Sequence, residues 1–297
     1  MWRSLVAGLL CLVAPWVSGQ TTLHMVSRGD HNAIYTESMI RLALDKAGFD
    51  YRLDIDSGGL SWARQVRDTQ EGRIDIMWSA TSREIEQQLI PVRVPLFKGL
   101  VGHRLFVVHN DNRDLFSGVV SLNDLKQFTY GQGVGWPDAQ ILGNNGFKVR
   151  EESFDRLRMM VQGKRFQVFP RGVHEPWTEL ESWPELELTV EPHILLVYRM
   201  PFYLFVSPKK PELAEALQKG LMVAVEDGSF DELFYRSAMI QRVIQRANIA
   251  ERRVFYLDNR DLSPETPVDD SRLWLTLEQL CAPDVRRASL PDSSPCR

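Results

Sequence analysis

The sequence PELAEALQKGLMVAVEDGSF, residues 211–230, decides the fold of this chain. Pro211 suits the first turn of a helix, where its missing N–H would have no partner in any case. Apolar residues then recur at helical spacing to about Val225, and Glu-Asp-Gly-Ser is a turn signal. The apolar run Tyr203–Ser207 precedes the segment and a second helical pattern, Phe230–Arg246, follows it. The segment therefore predicts a strand, a long helix, a turn and a last helix.

The N-terminal part of the chain alternates strand and helix patterns. Short apolar runs predict strands over Thr22–Ser27, Tyr51–Ile55 and Ile74–Ser79. Apolar residues at helical spacing predict helices over Met39–Ala47 and Trp62–Gln70. Such alternation is typical of parallel βαβ units with helices packed against the sheet, so the predicted fold class is α/β.

The same alternation restarts after the apolar run Arg104–His109. Further strands are predicted over residues 128–131, 147–150 and 166–169, with short helices between them. From Glu251 onward the regular pattern fades and five prolines follow, which predicts a mostly irregular tail. Trp274 and Leu275 are expected to attach part of that tail to the body of the protein.

Several motifs, taken in order, resemble the family-3 periplasmic solute-binding proteins, which include polar amino-acid receptors and have the type II periplasmic-binding fold. The resemblance spans about residues 22–246, and its closest part is the opening segment with Asp227-Gly-Ser-Phe230. The other matching motifs are Glu71-Gly-Arg-Ile-Asp-Ile76, Thr81-Ser-Arg83 and Pro95-Leu-Phe97.

The resemblance implies two α/β lobes that are joined by two crossover strands, assigned to about 104–109 and 203–207. The first lobe would comprise residues 20–108 and 204–250, and the second lobe residues 109–203. Residues 251–297 would form a C-terminal extension. Such lobes close on a ligand by a hinge motion.

Ligands of open α/β sheets collect beyond the C-terminal ends of the strands, which directs attention to the loop after the strand ending at Ser79. The resemblance implies that Arg83 binds a ligand carboxylate, and Ser79 and Thr81 are expected to donate hydrogen bonds to the same group. A guanidinium has the planar donor geometry for this task. Arg83 follows Thr81 by two residues where the family has three, and a surface ion pair with Glu84 or Glu86 is the alternative.

Aromatic residues and a glycine run mark further parts of the predicted cleft. Trp78 and Trp62 are expected to stack on a ligand or, alternatively, to pack in the core. The segment Gly131–Asp138 carries three glycines before Trp136, and Trp136 and Asp138 are expected to contact the ligand. A helix beginning near Pro137 would direct its positive end into the cleft and attract an anion. The alternative is a tight strand-to-helix turn without a ligand role.

Arg171 and Glu175 follow a predicted strand of the second lobe. The resemblance implies an Asp near this place that binds the ammonium group of an amino acid, but this chain has Arg171 there, and Glu175 only beyond it. A second Arg favours an anion or a diacid as the ligand. The alternative is a salt bridge between the two residues at i,i+4 spacing.

The N-terminus has the layout of a secretory signal peptide over residues 1–19. Arg3 precedes the uncharged apolar run Leu5–Ala14, and small residues follow Pro15. Ten apolar residues are too few to span a bilayer as a helix, although a membrane anchor remains the alternative. The mature protein is therefore expected in the periplasm as a monomer.

The composition argues against several kinds of partner. A formal charge of −4 at pH 7 without a basic run disfavours nucleic-acid binding. No Cys/His spacing indicates a metal, and the glycine run matches no nucleotide-binding pattern, so no cofactor is expected. Cys281 and Cys296 remain after signal cleavage and either form a disulfide or stay as free thiols.

Three functions remain open at this stage. The first is a binding protein that delivers a small, carboxylate-bearing solute to a membrane permease, and the second is a binding module that reports to a sensor protein. The third is a periplasmic enzyme of the same fold, similar to cyclohexadienyl dehydratases, with Glu175 or His31 as the general acid. The binding functions are favoured, and no catalytic residue is assigned.

Overall fold

The computed structural model describes residues 20–281, except residues 28 and 30 and the side chains of residues 31 and 281. The predicted signal segment 1–19 and the predicted pairing of Cys281 with Cys296 lie outside the described residues. Among the described residues, no helix is both long and apolar enough to cross a membrane.

The chain alternates strands and helices for most of its length. The strands are β1 Thr21–Val26, β2 Tyr51–Asp56, β3 Ile76–Ala80, β4 Ile90–Val92, β5 His103–His109, β6 Thr129–Gly133, β7 Lys148–Glu152, β8 Phe169–Gly172, β9 Leu188–Val190, β10 Ile194–Val197, β11 Phe202–Val206 and β12 Arg253–Tyr256. The helices are α1 His31–Ala47, α2 Trp62–Gln70, α3 Arg83–Gln88, α4 Leu122–Leu125, α5 Pro137–Asn144, α6 Phe154–Gln162, α7 Pro176–Ser182, α8 Pro211–Asp227, α9 Ser229–Arg236, α10 Ala238–Arg246 and α11 Leu277–Cys281.

One group of strands, which we call the first lobe, comprises β1 to β4 and β11. Strands β1 and β2 are parallel, and β11 lies antiparallel between β3 and β4. The backbone N–H of Asp75 donates to the carbonyl of His24 at 2.8 Å, which links β3 to β1. Helices α1 and α8 pack together so closely that a Cβ atom at Gly220 would lie 1.8 Å from the Ala43 carbonyl oxygen. The quoted segment therefore forms the helix that packs this lobe together.

The other group of strands, the second lobe, is centred on β5. Strands β8, β9 and β10 all pair antiparallel with β5, and β12 pairs parallel with β10. Strands β6 and β7 are parallel and are linked to this sheet by a bridge between Tyr130 and Val168. Every residue of β5 is buried. A strand that is covered on both faces in this way reads as a continuous apolar run, which is the pattern that predicted it.

Strand pairing differs from the predicted lobe boundaries. Both predicted crossover strands exist, but each belongs to one lobe: among the described residues, β5 pairs with second-lobe strands and β11 with first-lobe strands. The chain therefore crosses between the lobes in residues 93–102 and 198–201, outside the two strands, and it crosses again between α8 and β12. These segments touch, since Tyr198 donates its backbone N–H to the Gly102 carbonyl at 3.0 Å. A Cβ atom at Gly102 would lie 1.9 Å from the Tyr198 carbonyl oxygen.

The C-terminal extension is more regular than predicted. It contributes β12 to the second-lobe sheet, and the Arg252 guanidinium donates to the carbonyls of Ala247, Glu191 and Ile194 at 2.7, 2.7 and 2.9 Å. The prediction that Trp274 and Leu275 attach the extension is confirmed. The Leu275 backbone N–H donates to the Lys98 carbonyl at 2.9 Å, and the Trp274 ring covers Gly99.

Local signals located the starts of α2 and α8 but missed the start of α1, which begins at His31 and not at Met39. At the start of α4, Ser121 and Asp124 form a capping box, since each accepts the other's backbone N–H. The predicted helix Phe230–Arg246 is two helices, because Ser237 adopts an extended backbone and caps α10 with its side chain. A serine inside a helical pattern can terminate one helix and begin another.

Candidate ligand-binding site

A cavity of about 250 Å³ lies between the two lobes. Its lining comes from both lobes and from the crossover segments: Trp62, Gln65, Trp78, Ser79 and Ala80 from the first lobe, Arg104, Trp136, Pro137, Asp138, Arg171 and Glu175 from the second, and Val101, Met200 and Phe202 from or beside the crossovers. The volume suits a small metabolite, since pockets for larger drug-sized ligands range upward from about 300 Å³.

The first-lobe wall of the cavity is neutral and aromatic. Ser61 caps α2 and places Trp62 at the first position of that helix, from which its indole N–H donates to Ser79 Oγ at 3.0 Å. Trp78 lies half-buried on β3 beside it. Gly135, in the second lobe, has a left-handed φ of 78° and approaches the Trp62 ring, where a Cβ atom would lie 3.4 Å away. The two lobes therefore meet at this rim.

Arg104 and Asp138 form a buried ion pair in the second-lobe wall. Arg104 is the second residue of the buried strand β5, and Asp138 lies in the first turn of α5. Their side chains are 3% and 5% exposed, and they are in direct contact. The Tyr198 hydroxyl accepts from Arg104 Nε at 2.9 Å and donates to Asp138. Burial lowers the pKa of Arg104, but Asp138, Tyr198 and Glu175 raise it by more, so the guanidinium stays charged.

Arg171 is surrounded by two carboxylates and three aromatic rings. Its guanidinium contacts Glu179 through Nε at 2.8 and 3.1 Å and through Nη2 at 2.5 Å, and Glu175 through Nη2 at 3.1 Å. The guanidinium carbon lies 5.0 to 5.3 Å from the ring centroids of Trp136, Phe154 and Phe169. Such contacts with ring faces stabilise a cation. The predicted salt bridge to Glu175 is thus present, and Glu179 is a partner that the sequence reading missed.

Glu175 remains ionised in this environment. Burial raises the pKa of its carboxyl, but Arg171, His174 and Arg104, with the Gly172 backbone N–H, lower it by more, so the net shift is downward. Glu175 Oε2 accepts that N–H at 2.6 Å and lies 3.5 Å from Arg104 Nη1. The carboxylate therefore connects the two arginine clusters.

Six of the eight predicted site residues meet at this cavity: Trp78, Ser79, Trp136, Asp138, Arg171 and Glu175. Arg83 and Thr81 lie elsewhere. Ser82 caps α3, and the exposed Arg83 side chain turns toward the C-terminal extension, 3.4 Å from the Leu262 carbonyl. Thr81 is buried and donates to Glu86 at 2.6 Å. The expected role of Arg83 therefore has no geometric support here.

Arg104 is a charged residue of the cavity that the sequence analysis did not predict. The signal was present, because an arginine opens the otherwise apolar run Arg104–His109 of a strand that is buried throughout. A buried charge needs a partner, and its place next to a crossover would have directed attention to it.

The glycine run is explained by close ring packing. A Cβ atom at Gly131 would lie 2.3 Å from the Phe166 ring, and one at Gly133 would lie 2.3 Å from the Trp136 ring. Helix α5 begins at Pro137 as predicted, and its first turn contains Asp138. The Asp138 carboxylate therefore already occupies the N-terminus of α5, where a ligand anion was expected. This supports the alternative that the glycine run is a tight strand-to-helix turn.

Among the described residues, no group of three or more His, Cys, Asp or Glu side chains is arranged to bind a metal ion.

Comparison with known proteins shows the fold. No protein-family model and no curated protein matches the chain. Solved structures do match, among them an ancestral arginine-binding protein bound to arginine, with 17% identity, a TM-score of 0.55, and coverage of 74% of this chain and 99% of that one. A periplasmic binding protein of Salmonella typhimurium with high arginine specificity is 12% identical, with a TM-score of 0.53 and coverage of 72% and 97%.

A histidine kinase sensor domain with similarity to periplasmic binding proteins is also similar, at 11% identity, with a TM-score of 0.53 and coverage of 74% and 96%. At these identities the likeness establishes architecture. The chain has a mixed α/β fold that resembles type II periplasmic-binding proteins, as predicted, and structurally resembles amino-acid substrate-binding proteins at low sequence identity.

Proposed function

We propose that the chain is an exported solute-binding protein that closes its two lobes on a small α-amino acid in the periplasm. The observation that carries the proposal is the buried pair of Arg104 and Asp138 in the wall of the interlobe cavity. One residue is complementary to a carboxylate and the other to an ammonium group. The solved structures include relatives in fold that are bound to arginine or glutamine, which supports the same ligand class.

Ligand binding would exchange one ion pair for two. The α-carboxylate of the ligand would take the guanidinium fork of Arg104, and its α-ammonium group would take the Asp138 carboxylate. Removing one buried charge from its partner is costly, but a zwitterion replaces both partners at once. Tyr198 would remain as the neighbour that orients both side chains.

Arg171 does not add a second anion site under this proposal. The sequence alone favoured an anion or diacid because Arg171 stands where an acidic residue was expected. In the structure Glu175 and Glu179 already neutralise it. A diacid would place its second carboxylate against these two, which is unfavourable in a buried site.

Two biological contexts are compatible with such a protein. Amino-acid transporter receptors and a kinase sensor domain both occur among the structurally similar proteins. A membrane permease is the partner in the first case and a sensor protein in the second. Neighbouring genes for a permease and an ATPase would indicate transport, and a neighbouring sensor gene would indicate signalling.

The enzymatic alternative gains no support from the cavity. A general acid must be protonated before it acts, whereas the surrounding charges lower the pKa of Glu175. His31, the other residue considered, has no described side chain.

The proposal is tested by ligand recovery and by a pair of arginine variants. Native mass spectrometry of the purified protein, followed by calorimetry, should identify a bound amino acid and its affinity. Arg104→Lys, which keeps the charge but loses the donor fork, should weaken binding about a hundredfold, equivalent to about 3 kcal/mol. Arg83→Lys is the matched control and should leave the affinity unchanged. If Arg83→Lys weakened binding and Arg104→Lys did not, the ligand carboxylate would be bound by Arg83, and the proposed site would be wrong.

A further inference from the structure

A second chamber of about 200 Å³ adjoins the cavity and shares Glu175 with it. We call it the α7 chamber, because that helix contributes Thr178, Glu179 and Ser182 to its wall. Asn32, at the start of α1, also lines it. The chamber therefore has lining residues from both lobes, and Glu175 is common to it and to the interlobe cavity.

The α7 chamber carries two acidic side chains among the described residues that line it. Glu175 and Glu179 both contribute carboxylates, whose oxygens contact Arg171. A carboxylate offers about four acceptor positions. Hydroxyl groups of Thr178 and Ser182 stand beside them, and the former already accepts from Arg242 Nη1 at 2.8 Å.

His174 supplies the observation that marks the chamber as a ligand site. The residue is 2% exposed and lines the chamber, and its Nδ1 has no hydrogen-bond partner among the described residues. Its ring stacks on Phe97 with centroids 4.7 Å apart, which fixes the orientation of the imidazole. A buried polar atom without a partner is costly, unless a ligand satisfies it.

The charge of the chamber determines what it accepts. An acidic group would meet the cluster of Glu175, Glu179 and Arg171, in which two carboxylates outnumber one guanidinium. In a confined space with low effective dielectric, this excess of negative charge disfavours a further anion. A group that donates N–H bonds would instead meet acceptors. The rings of Phe154 and Trp183, 5.7 Å apart between centroids, would cover its aliphatic stem.

We propose that the α7 chamber binds the side chain of the ligand and selects an amino acid whose side chain ends in an amide or a cationic nitrogen group, and that it excludes acidic amino acids. This inference rests on the proposed function, since the chamber shares Glu175 with the cavity where the amino-acid backbone would bind. Arg104 and Asp138 would recognise any amino acid, and the α7 chamber would provide the discrimination.

The test uses pairs of amino acids that differ only at the end of the side chain. Calorimetry compares L-glutamine with L-glutamate, and L-lysine with L-norleucine. In at least one pair the first member should bind at least tenfold more tightly than the second. L-glutamate should bind weakly in every case. His174→Phe keeps the stacked ring and removes the nitrogen, and should reduce that preference to threefold or less. His109→Phe, a buried histidine outside the chamber, is the matched control and should leave the preference intact.

A second variant covers the case in which His174→Phe does not fold. Ser182 is exposed on α7, so Ser182→Leu should be tolerated while it partly fills the chamber. This variant should weaken the binding of L-glutamine at least tenfold and leave the affinity for L-alanine unchanged. Equal affinity within both pairs, or glutamate as the tightest ligand, would contradict the proposed role of the α7 chamber, and the proposed function would stand. Failure of every amino acid to bind would overturn both.

Discussion

The two walls of the interlobe cavity differ in kind. Among the described residues, the charged side chains that line it all come from the second lobe: Arg104, Asp138, Arg171 and Glu175. The first lobe contributes two indoles, a phenyl ring, an amide and small groups. Under the proposed function, the second lobe would therefore recognise the charged groups of the ligand, and the first lobe would cover them.

This asymmetry has a physical consequence for closure. The second-lobe charges are already paired with one another, so their interactions do not depend on charges from the opposite lobe. Bringing up a neutral aromatic wall excludes water and strengthens every charge interaction inside. It does not require new charges to be desolvated, which is the expensive step in burying ion pairs.

The largest expected effect comes from removing Arg171. Arg171→Met would leave Glu175 and Glu179 without their main counter-charge, and should lower the free energy of unfolding by about 3–5 kcal/mol. Denaturant unfolding of the ligand-free protein measures it. Arg165→Met, at an exposed arginine, should change stability by less than about 0.5 kcal/mol. A loss below about 1 kcal/mol for Arg171→Met would mean that the second-lobe cluster is not integral to the fold.

The pH dependence of the free energy of unfolding tests the burial of His174 in the second lobe. Burial lowers the pKa of His174 to about 4, whereas the unfolded chain titrates near 6.5. A depressed folded-state pKa means that the stability present above pH 6.5 is lost as the pH falls toward 4, by about 3 kcal/mol for one such group.

Unfolding measured between pH 7 and 4 should therefore show a steeper decline for the wild type than for His174→Phe. Burial also lowers the pKa of His103 to about 4, so the His174→Phe variant should still lose some stability over this pH range. Parallel curves for the two proteins would show that His174 titrates normally and is not buried as described.

The smallest expected effect is on the first-lobe wall. Trp78→Leu removes ring area from a half-buried cover and should weaken amino-acid binding about tenfold, or about 1.4 kcal/mol, in calorimetry. The loss should be similar for glutamine and lysine, because the indole does not read the end of the side chain. A hundredfold loss would contradict the division of roles between the two lobes.

The sequence predicted elements well where the local signals agree with the tertiary environment. Periodicity, Pro211 and the Asp-Gly-Ser turn located α8, and α2 was predicted with its observed bounds. The predicted strand over residues 166–169 was displaced toward the C-terminus, to Phe169–Gly172, and β12 was missed. Short strands on the edge of a sheet depend on pairing with distant segments, which local patterns do not report.

For the candidate site, too, part of the arrangement follows from local sequence patterns and part depends on tertiary contacts. Strand ends located Trp78, Ser79, Trp136, Asp138, Arg171 and Glu175, because ligand loops follow from strand direction in an α/β sheet. Whether Arg83 or Arg104 points into the cavity depends on helix capping by Ser82 and on the pairing of β5, which motif spacing alone does not report. Ligand contact by these residues stays a prediction.

The amino-acid sequence by itself determined the alternation of strands and helices, the quoted α8 segment and the glycines that allow rings and backbones to approach closely. These features follow from steric and periodic rules that act within a few residues. Only the tertiary structure decided which charges neutralise one another, since Arg104 meets Asp138 and Arg171 meets Glu179 through the packing of separate elements. Electrostatic energy depends on distance in space, and the fold sets that distance.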